Sequence, residues 1–408
     1  MSRQTNNNGY IAYKEQAGLG VQASGAGATV LRVTGGTMNQ TVQPVPSGEV
    51  RRDALTTLGG MGSRRATGQY NSEVSIGLID TPAAHVMRGA WTAAVTIDEA
   101  TVALASATLS VSGNVITFSG GSVITAGVRA YDVVTFSEGL AAGDLGKPLR
   151  LTGVTATSMT VAETITDVAG PVANYTFKKE RTLINPLAGA LIRKYVTVEE
   201  REEDTDGSKV FTDARFGQLV FGLQPNGMFT LQNSLTGTGK MDILTGGSSP
   251  LFTSPTETTA SPLTAAEVSL RLGTEIVADL TTLNLQLGIG LTAPDVAGNR
   301  YSPDVANGPF TIQGSVGLMK QDWAYAQAAQ AEDILSLHIL AQPADGSGGF
   351  VSLVVPRFKI PAPSDSELSR QAGFRTQTIN LDPGLVGIDT RGGAYDRTMA
   401  KFAVSNAS

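Results

Sequence analysis

The sequence predicts a mainly β protein, made of β-sandwich or β-barrel units that each carry a flanking α-helix. Three observations support this class: 47 of the 408 residues are glycine, aromatic residues make up only 6% of the chain, and several segments alternate apolar with polar side chains, as half-buried strands do. A hydrophobic fraction of 41% is enough for a buried core. Because a chain of this length exceeds one ordinary core, we expect two or three domain-sized units.

Composition and charge exclude several functions. The 30 lysines and arginines are outnumbered by 36 aspartates and glutamates, which gives a net charge of -6 and argues against a surface devoted to nucleic-acid phosphates. The absence of cysteine rules out disulfides and thiolate metal sites. No segment approaches the ~20 consecutive apolar residues that span a bilayer, and the N-terminus lacks the apolar core of a signal peptide. We therefore expect no membrane anchoring.

The first elements along the chain are an arm, a set of strands and a short helix. Residues 1–28 are rich in asparagine and glycine, a composition typical of a segment that does not fold alone, so we expect an N-terminal arm. The stretch GQYNSEVSIGL, which starts at Gly68, alternates as a strand does. Asp80 or Thr81 is then the expected N-cap of a helix that has Pro82 at its first position.

This strand-then-helix pattern occurs a second time. The stretch GPFTIQGSVGLMKQDWAYA, which leads into an alanine-rich helix, aligns Gly308 with Gly68 and Ala324 with Ala84. Downstream, both copies carry Asp-Gly-Ser, at 206–208 and 345–347, which predicts a hairpin turn, followed by Arg-Phe and a last strand. We predict two units related by duplication. The alternative is that generic β proteins repeat such patterns anyway.

An insertion interrupts the first copy, because Leu78 and Asp206 are separated by far more residues than Leu318 and Asp345. Residues 92–179 contain short strands separated by glycine and asparagine turns and no helical pattern, so we expect a small all-β barrel or sandwich, placed at a loop that tolerates insertions. The predicted organisation is an N-terminal arm (1–28), the first unit in two parts (29–91 and 180–245), the inserted domain (92–179), a Ser/Thr/Pro-rich linker (246–268) and the second unit with a C-terminal arm (269–408).

The sequence offers no catalytic, cofactor-binding or metal-binding constellation. His85 and His338 have apolar neighbours and lack the spacing of metal ligands, so we expect ordinary, partly buried histidines. The stretch SLTGTGKMD fails as a phosphate loop, since Met241 stands where serine or threonine is needed. No Gly-x-Ser-x-Gly elbow occurs either. We expect a protein that is not an enzyme and that uses no cofactor or metal.

Charged residues in two regions are candidate contacts between subunits. The acidic run from Glu199 to Asp204 favours a solvated or partner-facing hairpin over a cation site, since alternate carboxylates of a strand point to opposite faces. The arginine pairs 51–52 and 64–65 favour ion pairs with such a hairpin over contact with a polyanion. The candidate inter-subunit contacts are Glu49, Arg51, Arg52, Arg64, Arg65, Glu199, Glu200, Glu202, Glu203, Asp204 and Asp206.

With these units and the segment VPSGEVRRDALTT, the chain resembles the tail tube proteins of long-tailed, siphovirus-like bacteriophages. The matching residues are Ser47, Glu49, Val50, Arg51 and Asp53, followed by the Gly-x-Tyr strand. The segments FSGGSVITAGVRAYDVVTFSEGL and ERTLINP add to the resemblance. It implies two packed β-sheets flanked by a helix, in a virion protein that is made and assembled in the host cytoplasm.

The resemblance also implies partners. Rings of the protein would stack into a hollow tube, with a tape-measure protein in the lumen during assembly, tail-end proteins at its ends, and phage DNA passing through it. If relatives with one unit per chain form six-membered rings, a chain with two units closes a pseudo-sixfold ring from three copies; six chains per ring is the alternative. Unpaired sheet edges would pair around the ring, while the acidic hairpin and the N-terminal arm would reach the next ring.

Two functions of other classes stay open at this point. One is an adhesin of the virion or cell surface, whose inserted β-domain binds carbohydrate. The other is a glycan hydrolase with paired carboxylates, although no spacing of acidic residues supports it.

Overall fold

A computed structural model describes residues 3–344, 348–368, 373–384 and 392–405. Within these residues the protein is mainly β and has two α-helices, so the predicted fold class is confirmed. Short 3₁₀ turns occur at Val102–Leu104, Ala142–Asp144, Gly246–Ser248, Ala265–Glu267 and Gly392–Ala394.

The first half of the chain holds seventeen strands and one helix. It begins with β1 (Gly9–Glu15), β2 (Thr29–Val30), β3 (Gly35–Val45), β4 (Gly60–Glu73) and α1 (Asp80–Met87). Next come β5 (Val95–Asp98), β6 (Leu109–Ser112), β7 (Val115–Phe118), β8 (Val133–Glu138), β9 (Pro148–Val154), β10 (Ser158–Val161), β11 (Val168–Val172) and β12 (Thr176–Lys179). The half ends with β13 (Arg181–Ile184), β14 (Val196–Glu202), β15 (Gly207–Leu223), β16 (Thr230–Gly237) and β17 (Met241–Thr245).

The second half is shorter and lacks a counterpart of β5 to β12 among the residues that the structure describes. Its elements are β18 (Val268–Leu272), β19 (Glu275–Val277), β20 (Leu280–Gly288), β21 (Thr311–Met319), α2 (Ala324–Gln330), β22 (Leu335–Ala341), β23 (Val351–Lys359), β24 (Ser364–Asp365), β25 (Thr376–Pro383) and β26 (Lys401–Val404).

One continuous antiparallel sheet runs through both halves. In the first half, β3 pairs with β4, β4 with β16, and β16 with β15. The other edge of β15 pairs with β20, and the sheet continues through β21 and β25 to β24. Further strands, which include the pairs β1–β14 and β18–β22, share one apolar core with this sheet.

The core does not stop at the boundary between the halves. The ring of Tyr13 in β1 packs edge-on against Phe216 in β15, with 5.5 Å between ring centroids. Phe221, further along β15, lies 6.0 Å from Phe402 in β26. Since Phe402 belongs to the second half, the apolar contacts of the two halves form one cluster.

Apart from the inserted strands, β13 and β24, both halves have the same order of elements and the same scheme of strand pairing. The strands of each half pair in the same succession. In the first half the succession is β3–β4–β16–β15–β14–β1–β2, and in the second half it is β20–β21–β25–β23–β22–β18–β19. β17 pairs with the start of β15 as β26 pairs with the start of β23. A β-bulge lies at the same place in each half, between Val196 and Val198 and between Leu335 and Leu337. That this likeness arose by duplication stays a prediction.

The strand registers correct the residue alignment of the two halves. Gly68 pairs with Leu235 of the last strand in the first half, whereas Gly314 pairs with the matching Leu381 in the second. Gly68 therefore corresponds to Gly314, and the predicted match with Gly308 is wrong. The Ser-x-Gly-Leu likeness misled because residues 75–78 form the turn before α1, while residues 315–318 lie inside β21.

The predicted helix after β4 is present, but its start differs. Asp80 lies inside α1, and Ile79 is the N-cap, without a side-chain capping bond. The expectation of Asp80 or Thr81 as the cap is therefore wrong. The first helical bond, from Ala83 N–H to the Ile79 carbonyl, closes one residue earlier than the capping pattern indicated.

Residues 95–179 form a separate antiparallel sheet in the order β11-β6-β7-β10-β9-β8-β12-β5. Its own apolar cluster contains Phe118, Phe136, Tyr175 and Phe177. The whole segment is described and contains no α-helix. Its status as a separately folding domain stays a prediction.

Three segments that we expected to be arms or a linker are packed into the fold. Residues 9–15 form β1, in which Ala12 and Tyr13 are buried, because this short alternating run pairs with β14. In the 246–268 segment Phe252 and Leu263 are buried. Near the C-terminus, β26 lies between β23 and β13. In each case a few apolar residues within a polar composition provide the contacts.

Candidate assembly surfaces

The two halves join through strand pairing between β15 and β20. The pairs run antiparallel from Gln218 opposite Gly288 to Leu223 opposite Leu283. Phe221 and Leu285, in the middle of this run, are both buried. The backbone N–H and C=O groups at the β15 edge of the sheet β3–β4–β16–β15 are thereby paired with those at the β20 edge of the sheet β20–β21–β25–β24. We call this pairing, together with the contacts described next, the internal junction.

The connection between β20 and β21, residues 289–310, packs on the first half and completes the internal junction. Arg215 is only 2% exposed, and its guanidinium donates hydrogen bonds to the carbonyls of Lys194 (3.1 Å) and Val305 (3.0 Å). It also lies 5.3 Å from the centre of the Tyr195 ring. Burial lowers the pKa of Arg215 to about 10. The bonds to carbonyls keep this buried cation from being an isolated charge.

Asp304 is the carboxylate that faces this cationic site. Its oxygens lie 2.7 Å from the Arg193 guanidinium and accept a 2.7 Å hydrogen bond from the Tyr195 hydroxyl. Burial and the hydrogen bond to Asp304 raise the pKa of Tyr195 to about 12. The internal junction therefore combines a strand pairing with a charged contact from a connecting segment. Sequence reasoning noted Arg215 only as a landmark of the repeat, and no spacing linked it to Asp304.

The acidic hairpin forms as the Asp-Gly pattern predicted. Glu202 at the end of β14 pairs with Gly207 at the start of β15. Asp206 has a φ of 49°, the left-handed conformation that aspartate tolerates in such turns. The corresponding Asp345–Ser347 turn of the second half lies outside the described residues.

Most acidic candidates have partners within the chain. Glu199 is buried and accepts hydrogen bonds from the Ser208 hydroxyl (2.6 Å) and from the N–H groups of Leu251 and Phe252. Its neighbours in the chain therefore enclose it, and its predicted role between subunits stays a prediction. Glu200 accepts bonds from the N–H of Met38 (2.7 Å) and the hydroxyl of Tyr70 (2.8 Å).

The tip of the acidic hairpin binds the N-terminal segment. Asp204 accepts hydrogen bonds from the N–H and hydroxyl of Thr5 (2.7 and 2.6 Å) and from Asn8, and these bonds lower its pKa. The remaining acidic candidates have the following contacts: Glu202 lies 3.6 Å from Lys209, Glu203 N–H donates to the Asn8 carbonyl at 3.2 Å, and Asp206 lies 2.7 Å from Arg201.

The basic candidates divide into two groups. Arg64 and Arg65 lie in β4 and contact the 289–310 connection, through Tyr301 and Asp295 respectively. The others lie in the connection between β3 and β4, where Arg51 pairs with Asp53 at 2.7 Å, and Glu49 and Arg52 are exposed. The first group thus contacts another segment of the same chain, although Arg65 stays exposed, whereas the second group lies on an exposed connection.

The same β3–β4 connection, residues 46–59, carries exposed apolar side chains. Val50 is 100% exposed, Leu58 is 96% exposed, and Leu55 is also exposed. Sequence reasoning missed these residues because it sought charged contacts. The available signal was three large apolar residues in a segment otherwise composed of polar, charged and small residues.

The described residues contain no group of three side chains that could hold a metal ion. Both histidines are buried, more deeply than the partial burial that we expected: His85 lies 3.3 Å from Glu15, and His338 lies 2.8 Å from the Ser352 hydroxyl. Burial lowers the pKa of each. No helix within the described ranges is long and apolar enough to cross a bilayer.

Joined sheets and an exposed apolar connection are features typical of a structural protein that assembles through its surfaces. The family model described as "Phage tail tube protein" matches residues 6–383, nearly the whole chain. The chain therefore belongs to the phage tail tube protein family. It is a structural virion component that assembles into a tube. A search of curated proteins found no match.

Proposed function

We propose that three copies of this chain form one ring of the tail tube, with the two halves of each copy in neighbouring positions of a pseudo-sixfold circle. The observation that carries this proposal is the repeated pairing scheme together with the β15–β20 pairing. Two units that already stand side by side in one chain supply two of six ring positions. The repetition itself is most simply explained by duplication of a single-unit ancestor.

The rings would stack into the hollow tube of a siphovirus-like phage, made in the host cytoplasm and joined there to tail-end proteins. A tape-measure protein would fill the lumen during assembly, and phage DNA would later pass through it. The net charge of -6 supports this role, because a lumen that neutralised many phosphates would hold the duplex. On the outer surface, Glu49, Arg51 and Arg52 are candidates for contacts between copies.

The experiment is electron microscopy of the purified full chain, with three-dimensional reconstruction of the rings or tubes. Three chains per ring with six similar sheet modules is the expected result. Six chains per ring would overturn the proposed trimeric ring but not the proposed role in the tube. A protein that stays monomeric at all concentrations tested would overturn the assembly itself.

A further inference from the structure

Within the described residues, each half has an uncovered strand edge. Each of these edges is equivalent to the edge that the other half contributes to the internal junction. In the first half, Val220 and Phe221 of β15 pair with Gln232 and Leu231. The counterparts in the second half are Ser364 and Asp365 of β24, which pair with Thr378 and Gln377. β24 therefore corresponds to the end of β15, whose outer edge is covered by β20. No described strand covers the outer edge of β24.

The matching edge lies on β3, the counterpart of β20. Met38 lies opposite Gly68 as Leu285 lies opposite Gly314. β20 is covered by β15 on its outer side, whereas the pairings of the described residues leave the outer side of β3 without a strand. There the carboxylate of Glu200 accepts a hydrogen bond from the Met38 N–H. A side chain thus occupies the place that a strand fills at the internal junction.

The second half also has an open groove where the first half is filled. Tyr195, Arg215 and Thr238 contact the 289–310 connection. By register, their counterparts are Ile334, Lys359 and Gly384. The groove has a volume of about 250 Å³ and is lined by these three residues together with Arg357, Phe358, Asp382 and Pro383.

The groove in the second half differs in character from its filled counterpart. Ile334 is 54% exposed and takes the position of Tyr195. Lys359 lies 2.7 Å from Glu332, so these two charges satisfy each other. Lys359 corresponds to Arg215, and Glu332 corresponds to Arg193. Because Arg215 and Arg193 are both cations, they need the carboxylate of Asp304 to balance their charge. Beside the charged lining residues Arg357 and Asp382, the groove therefore offers an apolar surface at Ile334, Phe358 and Pro383 on which an apolar side chain can pack.

The 46–59 connection offers such a side chain. It joins β3 to β4 as the 289–310 connection joins β20 to β21. Leu58 precedes Gly68 by the same number of residues by which Asp304 precedes Gly314. Leu58 is almost fully exposed in the single chain. Asp304 thus faces the cationic site of Arg193 and Arg215, and Leu58 is available for the groove beside Ile334.

We propose that the junction between two copies repeats the internal junction: β24 of one copy pairs antiparallel with β3 of the next, with Ser364 opposite Asn39, and the 46–59 connection enters the groove beside Ile334. This proposal rests on the proposed function and specifies the surfaces that form the ring. Each copy offers one edge of each kind, so the contact is head-to-tail, and it gives a ring when the rotation between copies closes. On contact, the neighbour's strand replaces Glu200 as the partner of Met38.

Because the chain has no cysteine, introduced cysteines test the register without interference. The N–H of Met38 points away from β4, so Asn39 and Ser364 form a non-hydrogen-bonded pair, whose side chains approach closely enough for a disulfide. The double variant Asn39→Cys with Ser364→Cys, oxidised after assembly, should give three covalently joined chains in a non-reducing gel. The control Asn39→Cys with Leu368→Cys displaces one thiol by about 13 Å along the strand and should stay unlinked.

A second control distinguishes a wrong register from a failure of the proposed function. Val220→Cys with Gln286→Cys is the corresponding pair within one chain and should form an internal disulfide, read by mass spectrometry. If it oxidises while assembled Asn39→Cys with Ser364→Cys rings stay unlinked, the register is overturned and the tube function stands. If the unsubstituted chain forms no rings, the proposed function itself fails.

The groove contact has its own test. Leu58→Asp should reduce ring formation at least about tenfold, measured by sedimentation, while thermal unfolding of the monomer stays unchanged since this side chain is exposed. Adding Ile334→Arg recreates the Asp304–Arg193 type of pair and should restore rings. Assembly of Leu58→Asp at the unsubstituted level would overturn the groove contact, as would failure of Ile334→Arg to rescue a folded Leu58→Asp chain.

Discussion

The Tyr195 hydroxyl donates a 2.7 Å hydrogen bond to Asp304, which ties the first half of the chain to the connection that precedes β21. Arg193 lies 2.7 Å from the same carboxylate. The two halves are therefore held together by a polar site beside the β15–β20 pairing. This site is part of the internal junction, at which two sheet modules of the chain dock.

Asp304→Asn should destabilise the chain by about 1–2 kcal/mol, because it removes a charged acceptor from Arg193, Tyr195 and the Val305 N–H. Denaturant unfolding followed by circular dichroism measures the loss. The matched control is Asp295→Asn in the same connection, whose pair with Arg65 is exposed and should matter by less than about 0.5 kcal/mol. Equal effects of the two variants would contradict a special role for Asp304.

Stability should fall in acid through Glu15. The hydrogen bond from His85, with the further contact to Lys194, holds the pKa of Glu15 at about 2, below its ordinary value of 4.5. A carboxylate with a lowered folded-state pKa contributes stability above its unfolded pKa and loses it as the pH falls toward the folded value. The window is therefore pH 4.5 to 2, and Glu15→Gln should flatten the melting temperature across it. An unchanged slope in that variant would refute the assignment.

A buried ion pair ties the inserted sheet to the C-terminal strand. Lys401 and Asp132 are 1% and 0% exposed and lie 2.6 Å apart. Burial alone would lower the pKa of Lys401, but the carboxylates of Asp132 and Asp396 raise it. Asp132→Ala should therefore cost about 3–5 kcal/mol, because it leaves a buried cation with fewer partners.

The apolar replacement Asp132→Leu with Lys401→Met separates charge from packing. It should recover most of the stability lost by Asp132→Ala, since similar volumes fill the site without any charge to desolvate. Asp53→Ala, at the exposed Arg51 pair, serves as the surface control and should have little effect. If the double variant is less stable than Asp132→Ala, the charge argument fails.

Truncations should distinguish the first eight residues from the strand that follows. Deleting residues 1–8 removes the Thr5 and Asn8 bonds to Asp204 but spares β1, so thermal unfolding should change little. Deleting residues 1–28 removes β1 and uncovers the edge of β14, so the melting temperature should drop and the chain should aggregate. A stable, monomeric product of the longer deletion would contradict the packing role of β1.

Much of the fold could be predicted from local patterns. The Asp206–Gly207 turn and the alanine-rich helix α2 follow from backbone preferences that act within a few residues. The packing of β1 could not be predicted, because it depends on β14, far away in the sequence. The residue alignment of the halves failed for a similar reason: the register of Gly314 is set by its partner Leu381, and not by the local Ser-x-Gly-Leu pattern.

The candidate site was predictable only in part. Arg51 and Arg52 lie on an exposed connection, where a charged segment between two strands was expected. Glu199 was expected on a surface and is buried instead, because N–H groups from a distant segment provide its partners. Leu58 carries no charge pattern, and its importance emerges only when the two halves are superposed by strand register.

The position of β26 between β23 and β13 has a consequence for synthesis. β13 precedes most of the chain, yet its partner strand is Lys401–Val404. A nascent polypeptide therefore cannot complete this pairing until residues 401–404 have been synthesised. A product terminated before residue 401 would leave the edge of β13 without its partner strand, and such an open edge favours aggregation over entry into a growing tube.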